Sequence, residues 1–178
     1  MKSEVLISVD DGLLRITINR PEKRNPLSRA VLARLREVFE EQRGNDDLVL
    51  ALLSGAGDKS FAAGGDLRDL EQVRTLDEAR ALHDLGNGAL QAIRSFPVPV
   101  VAALNGLALG GGAELALACD LRIAAAHARI GFVQGRLNIP TAWGGGSDLA
   151  ATIGPARALE LLCGARVLSE PAADVLDA

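Results

Sequence analysis

An α/β fold is predicted by three observations in this 178-residue chain. Two apolar runs, "LVLALLSG" (48–55) and "VPVVAALNG" (98–106), each stop at a glycine, as strands buried on both faces of a sheet do. Stretches with apolar residues three and four apart lie around them, the spacing of amphipathic helices. Strand-like and helix-like segments therefore alternate, the order expected of strands joined by helical crossovers.

Each element follows from local pattern. Residues 4–9 and 13–18 alternate apolar and polar around Asp11-Gly12, a strand–turn–strand signal. "NRPEKRNP" (19–26) is a loop by its prolines and asparagines. Ser28 then caps an amphipathic helix whose apolar face is Val31, Leu32, Leu35, Val38 and Phe39. After 48–55, the loop "AGDKSFAAGGD" leads into "LRDL" and a more polar helical region to about residue 94. The run at 98–106 is followed by Gly110, Gly111 and Gly112 and a helix over 112–119. "DLRIAAAHARIGF" reads as two short strands with a turn, and Pro140 with "WGGG" (143–146) as a loop. Helices follow at about 147–153 and 155–163, the second opened by Gly154-Pro155. No low-complexity tract or long linker divides the chain, which reads as a single domain over 1–178.

Composition narrows the function. Hydrophobic residues make up 48 % and charged residues 24 %, a globular balance. No apolar run approaches the roughly 20 residues that span a bilayer, so no membrane role is expected. The start "MKSEVLISVDDG" is too acidic, and its apolar core too short, for a signal peptide, which points to the cytoplasm. Net charge is −4 and aromatic content 3 % with no tyrosine, which argues against nucleic acid as a partner. Cys119 and Cys163 sit in apolar helical contexts and read as reduced core residues; two cysteines do not make a metal site, and none is expected. His83 and His127 have no triad-like setting, no G-x-S-x-G elbow exists, and "GLALGGG" does not fit G-x-G-x-x-G.

The chemistry concentrates at two glycine-rich helix starts. "LALLSG…AAGGDL" and "VAALNG…LGGGAEL" each run from an apolar strand to a glycine pair that opens a helix. A helix start leaves about four N–H groups unpaired and carries partial positive charge, and glycine lets a ligand reach the backbone. Two converging starts would hold one oxygen that turns negative during reaction, a job for which one donor is worth about 10²–10³ in rate. Gly65 and Gly111 are the candidate donors. The same glycines equally suit tight turns and close helix–strand packing. Glu114, in the first turn after the run, suits the helix dipole, and also suits proton transfer beside a polarised thioester.

Four stretches resemble the crotonase (enoyl-CoA hydratase/isomerase) family: "NRPEKRNPLS" (19–28), "SFAAGGDL" (60–67), "NGLALGGGAELALACDLRIAA" (105–125) and "IPTAWGGG" (139–146). The resemblance implies a crotonase-like (ClpP/crotonase) spiral of ββα units and an acyl-CoA substrate. It implies a thioester oxygen held by the Gly65 and Gly111 N–H groups. The CoA moiety is the only cofactor it implies, lying along Lys23, Arg24, Ala63, Asp66 and Arg68. Arg24 and Arg68 suit phosphate, being permanent multi-donor cations, and equally suit solvated surface. A homo-oligomer, trimer or hexamer, is also implied.

Two departures from the family pattern stand out. Hydratases use two glutamates; Glu114 fills the first position, while Gln134 of "GFVQGRLN" stands at the second. Glutamine hydrogen-bonds water but exchanges no proton at neutral pH. The stretches "FVQ" and "AWGGG" look similar to a branch that decarboxylates ethylmalonyl- and methylmalonyl-CoA, in which one acid is enough. Trp143 would then wall an apolar pocket, with Leu107, or simply pack in the core. The second departure is length: family members usually continue into C-terminal helices that close the pocket and build trimers. Those helices are expected to be absent here, leaving apolar surface over 147–168 for a partner to cover. The expected function is an acyl-CoA lyase working through an enolate, by hydration or decarboxylation, with Gly65, Gly111, Glu114 and Gln134 at the reacting centre. The alternative is a non-catalytic acyl-CoA-binding homologue or assembly subunit.

Overall fold

The structure is a computed structural model, and it describes residues 3–169. Strands β1 (Val5–Asp10) and β2 (Leu13–Ile18) form the hairpin around Asp11-Gly12. Helix α1 (Arg29–Gln42) starts at Ser28, whose Oγ accepts the Val31 N–H, and buries all five expected apolar residues. Strand β3 (Leu50–Gly55) is followed by β4 (Ser60–Ala62), then α2 (Leu67–Glu71) and α3 (Leu76–Arg94). A Thr75–Glu78 capping box starts α3 and separates it from α2. Strands β5 (Val100–Leu104) and β6 (Leu107–Leu109) precede α4 (Gly111–Leu117). Strands β7 (Leu121–Ala124) and β8 (Arg129–Gly131) lead through a 3₁₀ turn, Val133–Leu137, to α5 (Gly145–Ile153), α6 (Pro155–Gly164) and β9 (Val167–Ser169).

Successive strands are dealt alternately to two sheets. The first has the order β1-β2-β3-β5-β7, parallel except for the β1–β2 hairpin; the second has β4-β6-β8-β9, parallel except β8–β9. The pairs β3/β4, β5/β6 and β7/β8 each give one strand to each sheet, so a ββ unit repeats and turns as a spiral. This matters for the site, because β4 lies parallel to β6. The turns leaving these strands, 63–66 and 110–112, consequently emerge at the same edge.

The core is one apolar cluster running from β2 and α1 through β3 and β5 to α4 and α5. Phe39 of α1 meets Phe96 edge-on, ring centroids 5.0 Å apart. Three expectations need correction. The run 48–55 is not buried on both faces: along β3 burial alternates, and Val49 is 68 % exposed. Strand β5, near the middle of its sheet, comes closer to two-faced burial. Cys163 is exposed, because it falls on the outer side of α6, whereas Cys119 is buried and its thiol pushed up to about 12 by burial. The loop read over 56–66 contains β4, and the stretch 105–110 contains β6; both are three-residue strands, too short to show a period.

Candidate active site

The three glycines before Glu114 are needed for three different reasons. Gly110 has φ +54° and ψ −118°, a backbone shape that favours glycine. A Cβ on Gly111 would overlap the Trp143 ring, and one on Gly112 would overlap the Ala62 carbonyl of β4. Close approach between α4 and β4 thus requires a bare backbone here. The second turn lies in ordinary contact with this one: a Cβ on Gly64, φ +103°, would lie 3.8 Å from the Gly111 nitrogen. Gly65 follows, opposite Leu27 in an isolated parallel bridge. Among the described residues, neither the Gly65 N–H nor the Gly111 N–H donates a hydrogen bond to the protein.

Both turns line a cavity of about 180 Å³. Its polar floor is Glu114 and Gln134; Val133, Trp143 and Pro140 wall it, and Leu67, Leu70, Leu137 and Ile139 surround its mouth. Those last four are 42–69 % exposed, so the mouth is apolar and open. Among the described residues, no lysine, arginine or histidine lines it.

Glu114 is 2 % exposed and accepts four hydrogen bonds. Its Oε1 receives Gln134 Nε2 at 2.9 Å and the Ala142 N–H at 3.3 Å. Its Oε2 receives the Trp143 N–H at 2.8 Å and the Gly145 N–H at 3.0 Å. A buried carboxylate without water needs such partners. Gly145 is the first residue of α5, so Glu114 faces the positive start of a helix other than its own. The Glu114 contact also fixes which way the Gln134 amide points, since a flipped amide would set oxygen against oxygen. Gln134 Oε1 is consequently left buried with no partner among the described residues, and an unpaired buried acceptor costs about 1–3 kcal/mol.

The segment 23–28 runs beside 63–68. The Ala63 N–H donates to the Arg24 carbonyl, Leu27 N–H to Gly64 O, and Asp66 N–H to Leu27 O. Lys23, Arg24 and Arg68 are exposed, and Ala63 is half-buried. The Asp66 side chain is engaged within the protein: the residue is 8 % exposed, ion-paired to Arg20 at 2.7 Å, and caps α2 through the Arg68 N–H. Burial alone would raise the Asp66 pKa, but Arg20, the Arg68 N–H and the charge of Lys23 together hold it below the usual carboxylate value. The Asp66 carboxylate therefore ties the turn down. Leu107 is not where the pocket reading placed it. It begins β6, at the end remote from Gly111, and does not line the cavity. Trp143 does both of its alternatives: it walls the cavity and is 6 % exposed, its indole wedged against Gly86 of α3 and Gly111.

Sequence reading missed Arg20, Arg94, Asp148 and the backbone of 142–145. Arg20 reaches Asp66 across 46 residues and Arg94 reaches Asp148 across 54, so no local spacing announces either pair. Asn25, with φ +53°, was also passed over; its buried side chain bonds the Arg20 N–H and the carbonyls of Ala56 and Ser60. Its only sequence signal is its place between Arg24 and Pro26.

Comparison with known proteins agrees with the geometry. The model of the enoyl-CoA hydratase/isomerase family matches residues 8–176. The chain is 35 % identical over 160 residues to a short-chain-enoyl-CoA hydratase of Clostridium acetobutylicum, covering 90 % of this chain and 61 % of that protein. It is 35 % identical over 165 residues to a crotonyl-CoA hydratase of Syntrophomonas wolfei, covering 93 % and 63 %. It spans about three-fifths of the length of these relatives. The crystal structure of an enoyl-CoA hydratase from Bacillus anthracis superposes with a TM-score of 0.93 at 33 % identity, over 98 % of this chain and 68 % of that one. The spiral of strand pairs, the two glycine turns and this likeness over nearly all of its residues lead to one conclusion: the chain belongs to the enoyl-CoA hydratase/isomerase family.

Proposed function

We propose that this protein is an acyl-CoA lyase that adds water to, or removes it from, a short acyl thioester through an enolate. The observation that carries the reading is the pair of N–H groups on Gly65 and Gly111, on adjacent turns lining an apolar cavity and donating to no acceptor among the described residues. Two such donors meeting one enolate oxygen would stabilise it without reorganising. Glu114 is the proton carrier. As the water oxygen bonds to Cβ, Glu114 takes one water proton and then returns that same proton to Cα of the enolate; the double bond is consumed, one water is added and Glu114 ends as it began. Oε1 is the oxygen that takes the proton, since its bond from Ala142 is the longest of the four. Gln134 Oε1, lacking a donor, would accept one from the water or the 3-hydroxyl. Exposed Lys23, Arg24 and Arg68 would contact the CoA phosphates.

Decarboxylation of a malonyl-type thioester is the second reading, favoured by Gln134 in the place of a second acid. The cavity lining weighs against it. An acyl carboxylate would meet Glu114 and the Gln134 acceptor with no cation nearby. The hydratase names of the relatives at 35 % identity also support hydration.

The test is turnover of crotonyl-CoA and methylmalonyl-CoA by the wild-type chain and by Glu114→Gln. Crotonyl-CoA is expected to be hydrated, and Glu114→Gln to slow it by about 10²-fold or more. Release of CO₂ from methylmalonyl-CoA without hydration would replace this reading with the second. CoA binding that survives Glu114→Gln, with no turnover of either thioester, would make the protein a non-catalytic acyl-CoA binder.

A further inference from the structure

We infer that Arg94 positions Glu114 for proton transfer, acting through the main chain of Trp143. This rests on the reading of Glu114 as the proton carrier. Arg94 is the last residue of α3, and its guanidinium makes four hydrogen bonds to the segment that holds Glu114. Nη2 donates to the Trp143 carbonyl at 2.8 Å and to Asp148 Oδ2 at 2.7 Å. Nε donates to Asp148 Oδ2 at 3.1 Å and Oδ1 at 3.2 Å. The planar fork of arginine suits this two-pronged grip, and a lysine has no equivalent. The two side chains are only 21 % and 22 % exposed, so the pair is not a loose surface contact.

The consequence is geometric. Arg94 holds the Trp143 carbonyl outward on one side, and on the other the N–H groups of Trp143 and Gly145 meet Glu114 Oε2. Asp148 lies in the first turn of α5, so the same guanidinium also fixes the start of that helix. Gly144 adopts φ +92° between these groups, and a Cβ there would lie 2.9 Å from Arg94 Nη2. The turn is thus closed around the guanidinium. Its indole, meanwhile, rests on Gly111, so one residue links the grip to the candidate oxyanion donor as well as to the acid. Releasing Arg94 would let the 142–145 amides turn away, and the Glu114 carboxylate would lose its placement. A displacement of about 1 Å in a reacting group costs up to about 10²-fold in rate.

Trp143 is the only tryptophan of the chain, so its emission reports on this turn directly. The experiment is a double-mutant cycle of Arg94→Met and Glu114→Gln, read by tryptophan emission and acrylamide quenching, urea unfolding midpoint, and crotonyl-CoA turnover. Arg94→Met is expected to red-shift the emission, raise quenching and lower kcat on the order of tenfold or more, with KM within about threefold. Arg94→Lys recovers part of the emission and little of kcat. In the Glu114→Gln background Arg94→Met should have almost no further effect on kcat, and its effect on the midpoint should be smaller than in the wild type. Unchanged emission and quenching in Arg94→Met, or additive effects on both midpoint and kcat, would overturn the proposal. If Glu114→Gln turns over like wild type, the proton-carrier reading fails. A non-additive midpoint then still shows Arg94 holding Glu114 in place, and an additive one overturns that too.

Discussion

Gly65 and Gly111 have the same candidate role yet differ in what a side chain there would touch. A Cβ on Gly65 lies 3.4 Å from Leu70 Cδ1, an ordinary contact, whereas one on Gly111 overlaps the Trp143 ring. Neither has a positive φ, so the difference is steric. Gly111→Ala is therefore expected to lose about 1–3 kcal/mol of stability, since Trp143 must move within a packed core. Gly65→Ala should stay within about 0.5 kcal/mol of wild type. Urea midpoints of the two variants check this; equal losses would show that Trp143 yields freely. Because both variants keep their N–H groups, Gly65→Ala should also retain more of the turnover. Glu114 was legible in the sequence from its place after the glycine run. Of the four donors around it, Gln134 was legible too, but the other three were not, because they are backbone groups 28–31 residues away.

Elements are joined at the site by charges that burial strengthens. The Arg20–Asp66 pair ties the end of β2 to the start of α2, and Arg20 also binds Glu4 at 3.1 Å. Asp66 has a folded-state pKa below its unfolded value. Its contribution is therefore fully present above the ordinary carboxylate pKa, and disappears as pH falls through the depressed folded value. Unfolding midpoints measured from pH 7 down to 3 should show a steeper acid-side loss in wild type than in Asp66→Asn, which should also be less stable near neutrality. Parallel slopes would mean that the pair contributes nothing. The helices themselves were readable: Ser28 caps α1 as expected, and all five apolar residues assigned to its inner face are buried. Periodicity encodes a helix face because neighbours on that face recur every three or four residues. Strands β4, β6 and β9 have three residues each, and their existence depends on partners distant in sequence.

At the scale of the whole molecule, the described chain is a spiral of strand pairs around one core, with an apolar opening at the glycine turns. No helix among the described residues is long and apolar enough to cross a membrane. The two thiols report on the packing. Cys119 is buried with its thiol pushed up to about 12, while Cys163 is exposed. An aromatic disulfide reagent at pH 8 should label one thiol promptly in the folded protein and the second only on unfolding. Cys163→Ser should abolish the prompt phase, and two prompt thiols would mean that α4 is not packed as described. The apolar stretch expected to lie exposed within 147–168 is only partly so: Leu159 is 61 % exposed, while Leu149 and Leu161 are buried.

The sequence by itself determined the α/β alternation, the inner faces of α1 and the glycine runs, and it singled out Glu114 and Gln134. These are local properties: periodicity, turn chemistry and an acid one turn beyond a bare backbone. Only the tertiary structure decided which turns meet. Parallel pairing of β4 with β6 brings Gly64 and Gly65 beside Gly111, and that pairing has no local signature. It also made the Asp66 carboxylate a tether, placed Leu107 away from the cavity, and left Gln134 Oε1 without a partner among the described residues. Buried polar groups are satisfied by whatever the fold places within about 3 Å, and here that is decided across 20 to 54 residues of chain.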